Sequence, residues 1–285
     1  MYYYVINPAA GKGAINRLQE KLRERLRELG IDGEFAKTTG LGDATKMTKA
    51  AIEKGYNTIV VVGGDGTVNE AINGITKENV AVGIIPIGTS NLLAHHMGIN
   101  SWQQACEVLA ARRLASYGLI AAGQKVFLST LTLGFETDID KQMETAPDST
   151  VKARVGQFVS AFGQAREYAP LKCHIKVDGR YELESPLFSL TVSNQKFDNP
   201  LAENKLVVTI FEKPGRKQLT TYLWGMLKKN QLEEGTTRFK ADRVVIETDP
   251  QTGMMIDGKV SGRTPIAIRL TDRRVRFITE KQSNF

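Results

Sequence analysis

The sequence predicts an α/β fold, in which a parallel sheet with helices on both faces is followed by a part rich in antiparallel strands. Over about the first 118 residues, short apolar segments alternate with amphipathic helices, and this alternation is typical of a parallel sheet covered by helices. From about Leu119 onwards, short segments of alternating polarity dominate, separated by turn pairs such as Asp178-Gly179 and Asp257-Gly258. Such turn pairs favour antiparallel hairpins.

The first part contains four short runs that we predict to be strands: Tyr2–Ile6, Glu34–Lys37, Asn57–Val62 and Val80–Ile85. The helices between them follow from apolar spacing and from residues typical of helix ends. The predicted helices are Gly13–Leu29, the segment from Asp43 to Lys54, the segment from the Gly63–Thr67 turn to about Ile75, and one that begins with the capping-box pair Ser101 and Gln104.

The second part contains short segments that we predict to be strands: Lys125–Leu133, Leu171–Val177, Tyr181–Val192, Leu206–Phe211, Arg243–Thr248, Thr264–Leu270 and Val275–Thr279. Two predicted helices, Val151–Tyr168 and Arg216–Lys229, interrupt them. We therefore place a first domain at residues 1–118 and a second at residues 119–285, and leave open whether the last strand returns to the first domain.

Composition and charge are those of an ordinary globular protein that has an anionic partner. Apolar residues make up 41% of the chain, and no run approaches the ~20 apolar residues of a membrane span. The start lacks the pattern of a signal peptide, and Cys106 and Cys173 are too few for a disulfide framework, so we expect a cytoplasmic protein. Residues 1–120 hold 13 Lys and Arg against 11 Asp and Glu, whereas residues 121–285 hold 25 against 20. The surplus in the second part indicates an anionic partner, with membrane surface, phosphate and nucleic acid all open.

The strongest local signal is the glycine-rich sequence Gly63-Gly64-Asp65-Gly66-Thr67, placed directly after a buried strand and before a helix. Adjacent glycines let backbone N–H groups approach phosphates closely, and the start of the helix adds partial positive charge. Because a carboxylate repels phosphate, Asp65 fits such a loop if it holds Mg²⁺ or accepts a proton. The alternative is a plain strand-to-helix turn in which Asp65 is a cap.

Two further glycine-containing loops follow predicted strands. The loop Asn7–Gly13 resembles a phosphate loop but lacks the spacing G-x-x-x-x-G-K-[ST], and the loop Pro86–Asn91 follows the fourth strand. Loops that follow parallel strands meet at one edge of the sheet, where open α/β sheets bind their ligands. We therefore expect the three loops to lie together.

In this order and spacing, the motifs N-P-x-x-G, G-G-D-G-T-x-N-E-x-x-N-G and P-x-G-T-x-N resemble those of the diacylglycerol-kinase catalytic-domain family of soluble lipid kinases. That family includes bacterial diacylglycerol kinases and, more distantly, sphingosine kinases. The middle motif runs here from Gly63 through Asn69 and Glu70 to Asn73-Gly74. The resemblance covers the first 100 residues well and the remainder loosely. It implies a Rossmann-like first domain, a second domain that is an antiparallel β-sandwich, and a lipid substrate in the cleft between them.

The resemblance also implies an ATP- and Mg²⁺-dependent kinase that transfers the γ-phosphate to a lipid hydroxyl of the diacylglycerol or sphingosine type. Thr38 belongs to the implied ATP site because it precedes Gly42-Asp43, as the family's threonine precedes its own Gly-Asp pair. The ATP site as a whole would comprise Asn7, Pro8, Ala9, Ala10, Gly11, Thr38, Gly64, Asp65, Gly66, Thr67, Val68, Asn69, Glu70 and Thr89.

The chain departs from the family's pattern at three places. Leu92 follows Asn91 where the family usually has aspartate. The segment Glu203–Leu206 replaces an Asp-Gly pair near the family's magnesium site, which makes Glu203 the candidate metal ligand. The segment Asp257–Lys259 replaces a D-G-E motif whose glutamate is regarded as the proton acceptor. A protonated lysine cannot accept a proton, although it can stabilise phosphoryl charge.

Three interpretations of Lys259 remain open. Asp65 or Asp257 serves as the base while Lys259 clamps phosphate, or the chain is a weak or inactive kinase that still binds nucleotide, or Asp257-Gly258 is a hairpin turn. The candidate catalytic residues are therefore Asp65, Asp257 and Lys259. Two alternatives to a lipid kinase remain: a non-catalytic nucleotide- or lipid-binding protein, and an enzyme like the NAD kinases, which also contain G-G-D-G-T.

Basic residues, among them Lys213 and Lys229, flank the apolar part of the predicted helix Arg216–Lys229. Such a helix either lies in a membrane interface or packs on the sheet with solvated basic ends, and we favour the packed helix. His95 and His96 are predicted to be helix residues rather than ligands. We expect a lipid partner and no nucleic acid, and leave open peripheral contact with the inner face of the membrane and a homodimer.

Overall fold

A computed structural model of the chain describes residues 1–89, 91–137, 160–194, 204–212, 215–228 and 235–280. These residues form two compact units. Unit 1 consists of the described residues of Met1–Ser129 together with Leu270–Glu280, and unit 2 consists of the described residues between Thr130 and Arg269.

Unit 1 is built around a parallel sheet. Its strands are β1 Tyr2–Ile6, β2 Gly33–Lys37, β3 Thr58–Gly63, β4 Ala81–Pro86 and the second half of β15, Ile266–Ile278. The strands are neighbours in the order β15, β4, β3, β1, β2, and every pair in this series is parallel. A short antiparallel pair, β5 Leu114–Ala122 and β6 Lys125–Phe127, joins the sheet because β5 also pairs with β15.

The helices of unit 1 are α1 Ala14–Glu28, α2 Asp43–Glu53, α3 Asp65–Gly74, α4 Leu92–His96 and α5 Trp102–Ala111. The predicted apolar face of α1 is buried at Ile15, Leu22 and Leu26. Strands β3 and β4 are buried along their whole length, as expected for strands with helices on both faces. The predicted parallel sheet is therefore confirmed, and His95 and His96 lie in a helix as predicted.

Unit 2 consists mainly of antiparallel strands. They are β7 Thr130–Gly134, β8 Leu171–Val177, β9 Tyr181–Asn194, β10 Leu206–Glu212, β11 Thr236–Ala241, β12 Arg243–Asp249, β13 Gly253–Ile256, β14 Lys259–Arg263 and the first half of β15. The long strand β9 pairs first with β8, over Tyr181–Leu187, and then with β7 on the same edge, while β10 pairs with its other edge. The prediction of an antiparallel second part is confirmed.

The basic helix of unit 2, α7 (Arg216–Lys228), packs against strands rather than presenting all its apolar residues to solvent. A shorter helical segment, α6, covers residues 160–167. The rings of Tyr222 on α7 and Phe211 on β10 stack with their centroids 4.5 Å apart. The burial of Leu219, Tyr222 and Leu223 agrees with the packed-helix interpretation, whereas Lys213 and Lys229 lie outside the described residues. In the part of the chain that the structure describes, no helix is both long and apolar enough to cross a bilayer.

The division between the units differs from the predicted one at residue 118. The first unit extends to Ser129, because the β5–β6 pair belongs to it and Asn73 of α3 is bonded to Val126 of β6 in both directions, at 2.9 and 3.0 Å. The last strand returns to unit 1, where Arg276 is aligned with Ala81 of β4.

Several strands also differ from their predicted bounds. The predicted segment Lys125–Leu133 is two strands, β6 and β7, and the last two predicted strands are one, β15. Four strands, β5, β11, β13 and β14, were not predicted. Of the predicted helix Val151–Tyr168, only the part from residue 160 lies within the described residues, and it is helical to residue 167.

Candidate functional site

The loops that follow β1, β2, β3 and β4 begin at one edge of the parallel sheet, which we call the carboxyl edge. Backbone hydrogen bonds join the ends of these strands: the N–H of Asn7 donates to Val62 at 2.9 Å, and that of Thr38 donates to Ile6 at 2.8 Å. The N–H of Ile87 donates to Gly63 at 3.2 Å. The loops predicted to lie together therefore start side by side.

Two glycines bring the third and fourth of these loops into backbone contact. A Cβ added to Gly88 would lie 2.6 Å from the Cα of Gly64, and one added to Gly64 would lie 3.2 Å from the Cα of Gly88. Asn91 closes the same loop, since its Oδ1 accepts from the N–H of Gly88 and its Nδ2 donates to the Gly88 carbonyl. A Cβ at Gly88 would therefore clash with the backbone of Gly64, whereas one at Gly64 would require the neighbouring loop to move by a few tenths of an ångström.

The first loop is tied to α3 through Asn7. The Nδ2 of Asn7 donates to the hydroxyl of Thr67 at 2.9 Å, and its Oδ1 accepts from the N–H of Ala9 at 3.0 Å. Farther along the loop, Gly11 adopts a φ of 58°, a conformation that favours glycine. Asn7 therefore fixes both the start of its own loop and the distance of that loop from α3.

Asp65 caps a different helix from the one it opens. Its two carboxylate oxygens accept from the N–H groups of Leu92 and Leu93, each at 2.9 Å, and these are the first residues of α4. The carboxylate thus joins the third loop to the fourth and places negative charge at a helix start. Each carboxylate oxygen has a second lone pair, so the predicted contact of Asp65 with Mg²⁺ or substrate stays compatible with this geometry.

Other residues of the middle motif hold neighbouring elements through their side chains. The Oε2 of Glu70 accepts from the N–H of Gly42 at 3.0 Å, at the start of α2. The Oδ1 of Asn69 accepts from Asn73 at 3.2 Å, and Val68 is buried in the core. These three residues were implied to contact ATP; the contacts of their side chains join α3 to neighbouring elements and to the core, and contact with ATP stays a prediction.

The remaining implied ATP residues are on the carboxyl edge. Thr38 is buried at the end of β2, whereas Ala9 and Thr89 are exposed on their loops. Pro8 and Ala10 are half-buried beside Asn7. Their contact with a nucleotide stays a prediction.

The late Asp-Gly pair forms the turn of a hairpin between β13 and β14. Asp257 and Gly258 have φ values of 46° and 74°, which is the positive-φ pair of a type I′ turn. Asp257 is only 3% exposed, and its Oδ1 accepts from the N–H of Thr130 at 3.1 Å while its own N–H donates to the Thr130 carbonyl. The pair is therefore a hairpin turn, and Lys259 is the half-buried first residue of β14; which of the three interpretations of Lys259 holds stays open.

The described residues contain no cluster of three or more His, Cys, Asp or Glu side chains that could hold a metal ion. Glu203, the candidate ligand, lies outside the described residues. Both cysteines are buried, and burial raises the pKa of the Cys106 thiol to about 11 and that of Cys173 to about 12, which makes them poor ligands and nucleophiles.

Sequence reasoning named Asp43 and Asn73 but did not predict that their side chains hold neighbouring backbone groups in place. Asp43 accepts three hydrogen bonds through Oδ2, from the hydroxyl and N–H of Thr39 and from the N–H of Gly40. These bonds lower the pKa of the Asp43 carboxyl, that of the Thr39 hydroxyl contributing most. For Asn73, the spacing of four residues from Asn69 on one helix face could have indicated a shared partner.

Comparison with known proteins agrees with this arrangement. Residues 1–122 match the family described as diacylglycerol kinase catalytic domain. The chain is 24% identical to the diacylglycerol kinase of Bacillus subtilis strain 168 over 298 residues, which cover 98% of this chain and 96% of that protein. It is 23% identical to the diacylglycerol kinase of Staphylococcus carnosus over 292 residues, which cover 97% of this chain and 94% of that protein.

Solved structures share the fold. A crystal structure of a diacylglycerol kinase from Bacillus anthracis str. Sterne superposes with a TM-score of 0.72 at 21% identity, covering 98% of this chain and 96% of that chain. An NAD kinase from Archaeoglobus fulgidus in complex with ATP superposes with a TM-score of 0.56 at 12% identity. The match covers 99% of this chain and 94% of that chain. The resemblance inferred from the three motifs is confirmed by the match of residues 1–122 to the diacylglycerol kinase catalytic domain and by these similar proteins.

Proposed function

We propose that the chain is a lipid kinase that uses ATP and Mg²⁺ to phosphorylate the hydroxyl of a diacylglycerol-like lipid. The observation that carries the proposal is the backbone contact of Gly64 with Gly88, which joins two loops of the carboxyl edge. The match of residues 1–122 to the diacylglycerol kinase catalytic domain supports a kinase rather than another α/β enzyme. The names of the relatives support a diacylglycerol acceptor.

The residues present fit a triphosphate. No side chain stands where Gly64 meets Gly88, so phosphate oxygens can approach the loop backbone there, as in other glycine-rich phosphate loops, while the N–H of Gly88 itself is bound to Asn91. The start of α3 adds the partial positive charge of a helix N-terminus. The side chain of Asn7 donates to the Thr67 hydroxyl and so holds the loop that follows β1 beside the other two loops of the site.

Asp65 is the residue that we propose touches the reacting groups. In the reaction, the acceptor oxygen bonds to the γ-phosphorus while the bond from that phosphorus to the bridging oxygen of ADP breaks. The hydroxyl proton passes to the Asp65 carboxylate, which is half-exposed at the loops and held by the N–H groups of Leu92 and Leu93. Bound Mg²⁺ would neutralise charge on the phosphate oxygens. The roles predicted for Asp257, Lys259 and Glu203 stay predictions.

The test is transfer of labelled γ-phosphate from ATP to diacylglycerol, sphingosine and NAD, each offered separately, the lipids in mixed vesicles. We expect transfer to diacylglycerol, and we expect Asp65→Ala to reduce kcat by at least about 100-fold because a positioned proton acceptor is lost. The matched control is Asp32→Ala. Asp32 is also an aspartate of unit 1 that holds a backbone group, since its Oδ1 accepts from the N–H of Gly33. Transfer to NAD alone, or ATP binding without transfer to any acceptor, would contradict the proposal.

A second candidate function is phosphorylation of NAD. The fold shared with an NAD kinase in complex with ATP favours it. The Asn7 and Asn91 loops disfavour it, because their motifs match the lipid-kinase family instead. The NAD arm of the same assay decides between the two.

We also propose that the protein contacts anionic membranes by charge rather than by inserting a helix. The net charge is +7, which favours anionic surfaces. The apolar residues Leu219, Tyr222 and Leu223 of α7 are buried within unit 2 and unavailable to lipid tails. Binding to vesicles that contain phosphatidylglycerol should therefore weaken steeply between low and high salt, and salt-independent binding would contradict charge as the cause.

A further inference from the structure

The loop between β2 and α2, residues 38–42, is held at three points along its length. The N–H of Thr38 at its start donates to Ile6 of β1. The carboxylate of Asp43 binds the middle of the loop at Thr39 and Gly40. The last attachment, at Gly42, comes from a different element, α3.

That last attachment is the carboxylate of Glu70. Its Oε2 accepts from the N–H of Gly42 at 3.0 Å, and Gly42 stands at the start of α2 with a φ of 81° and no cap from the side chains of its own helix. A carboxylate at a helix start is favoured by the partial positive charge there. The Glu70 carbonyl accepts from the Thr45 hydroxyl at 2.7 Å, which adds a second bond across the same contact of α2 with α3.

The loop has no apolar packing at its tip to replace these bonds. Leu41 is 81% exposed, so its side chain adds little burial that would hold the loop. The hydrogen bonds of Asp43 fix the loop internally, whereas the bond from Glu70 fixes it relative to α3. Loss of the Glu70 bond would therefore free the end of the loop while leaving its middle folded.

The helix that carries Glu70 also carries the residues that organise the other loops. Asp65 in its first turn binds the start of α4, and Thr67 receives the bond from Asn7. We infer that Glu70 is a positioning residue, which acts through the backbone of Gly42 to set the end of the β2–α2 loop against the nucleotide. The inference rests on the proposed function, and it replaces direct contact with ATP as the role of Glu70.

Two conservative substitutions separate positioning from charge. In Glu70→Gln the side chain keeps its length, and its amide oxygen can still accept from Gly42, but the charge is lost. In Glu70→Asp the charge is kept, but the chain is one methylene shorter and the acceptor is withdrawn from Gly42. The matched control is Thr45→Val, which removes the other bond of the same contact and leaves the Glu70–Gly42 bond intact.

Two measurements are needed: hydrogen exchange of the amides of residues 39–43, and KM for ATP separately from kcat with diacylglycerol as acceptor. For Glu70→Asp we expect exchange at Gly42 to accelerate about tenfold and KM for ATP to rise about fivefold to tenfold, with kcat within about twofold, because one hydrogen bond to a charged group is lost. For Glu70→Gln and for Thr45→Val we expect all of these values to stay within about threefold of the unchanged protein.

The opposite pattern would overturn the inference. If Glu70→Gln lowers kcat strongly while Glu70→Asp is tolerated, the charge of Glu70 acts on metal or phosphate directly. If exchange at Gly42 is unchanged in Glu70→Asp, the residue does not set the loop, whatever the activity. The exchange measurement needs no turnover, so it decides whether Glu70 sets the loop even where the chain proves not to be a lipid kinase.

Discussion

The same dipeptide, Asp-Gly, occurs in both units with different consequences. In unit 1, Asp65-Gly66 opens a helix, and the carboxylate reaches the N–H groups of the next loop on the carboxyl edge. In unit 2, Asp257-Gly258 is the turn of a hairpin, and the carboxylate is buried against Thr130 of a neighbouring strand. An aspartate followed by glycine therefore does not by itself identify a site, and the surrounding loops decide whether it stands at one.

The most damaging change that this comparison predicts is at the glycine contact of unit 1. In Gly88→Ala, the new Cβ would lie 2.6 Å from the Cα of Gly64, so the loops must separate. We expect kcat/KM for ATP to fall about 100-fold, because small displacements of positioning groups are costly. The control is Gly40→Ala, whose Cβ would meet nothing within 4 Å. Equal activity of the two variants would show that the contact does not shape the site.

A smaller effect, on stability, is expected at the turn of unit 2. Asp257→Ala leaves the N–H of Thr130 without its acceptor and places alanine at a φ of 46°. We expect unfolding free energy to fall by about 1–3 kcal/mol in urea titrations. Asp257→Asn, which tolerates this φ and keeps an acceptor oxygen, should cost less than about 1 kcal/mol. Full stability with lost activity in Asp257→Ala would instead place Asp257 in the chemistry.

The smallest effect concerns pH. Since the pKa of Asp43 is lowered in the folded chain, its carboxylate adds stability above the unfolded value of 3.8, and that stability is lost as the pH falls through the folded value. The urea midpoint of the unchanged protein should therefore exceed that of Asp43→Asn at pH 7, and the two should converge below pH 3.8. A gap that is constant from pH 7 to pH 3 would mean that the charge of Asp43 does not hold the loop.

Regular alternation and clear ends were enough to predict some elements from sequence. Strand β8, Leu171–Val177, has the predicted bounds, because polar and apolar residues alternate along it. Strand β15 was predicted as two because the polar run Thr271–Arg274 interrupts its apolar residues, yet backbone pairing continues through it. Strand β5 was missed, since small residues such as Ala115 and Gly118 give it neither alternation nor β-branching.

At the site, too, some features could be predicted from the sequence and others could not. That three loops would start at one edge followed from the topology of parallel strands, and the backbone bonds at Asn7 and Ile87 agree with it. The partners of Asp65 and Glu70 could not be predicted, because each lies more than 20 residues away in the chain and depends on loop shape. Motif residues can thus be found from sequence, but what they touch cannot.

Strand β15 has a consequence for the way this protein is made. Its first residues pair with β12, and its last ones pair with β4, a strand synthesised long before. On the ribosome, β4 therefore keeps an unpaired edge while all of unit 2 is translated. Such an edge can recruit a strand from another nascent chain. Translation that stalls before Arg276 would leave a product prone to aggregate through Ala81 and Val82.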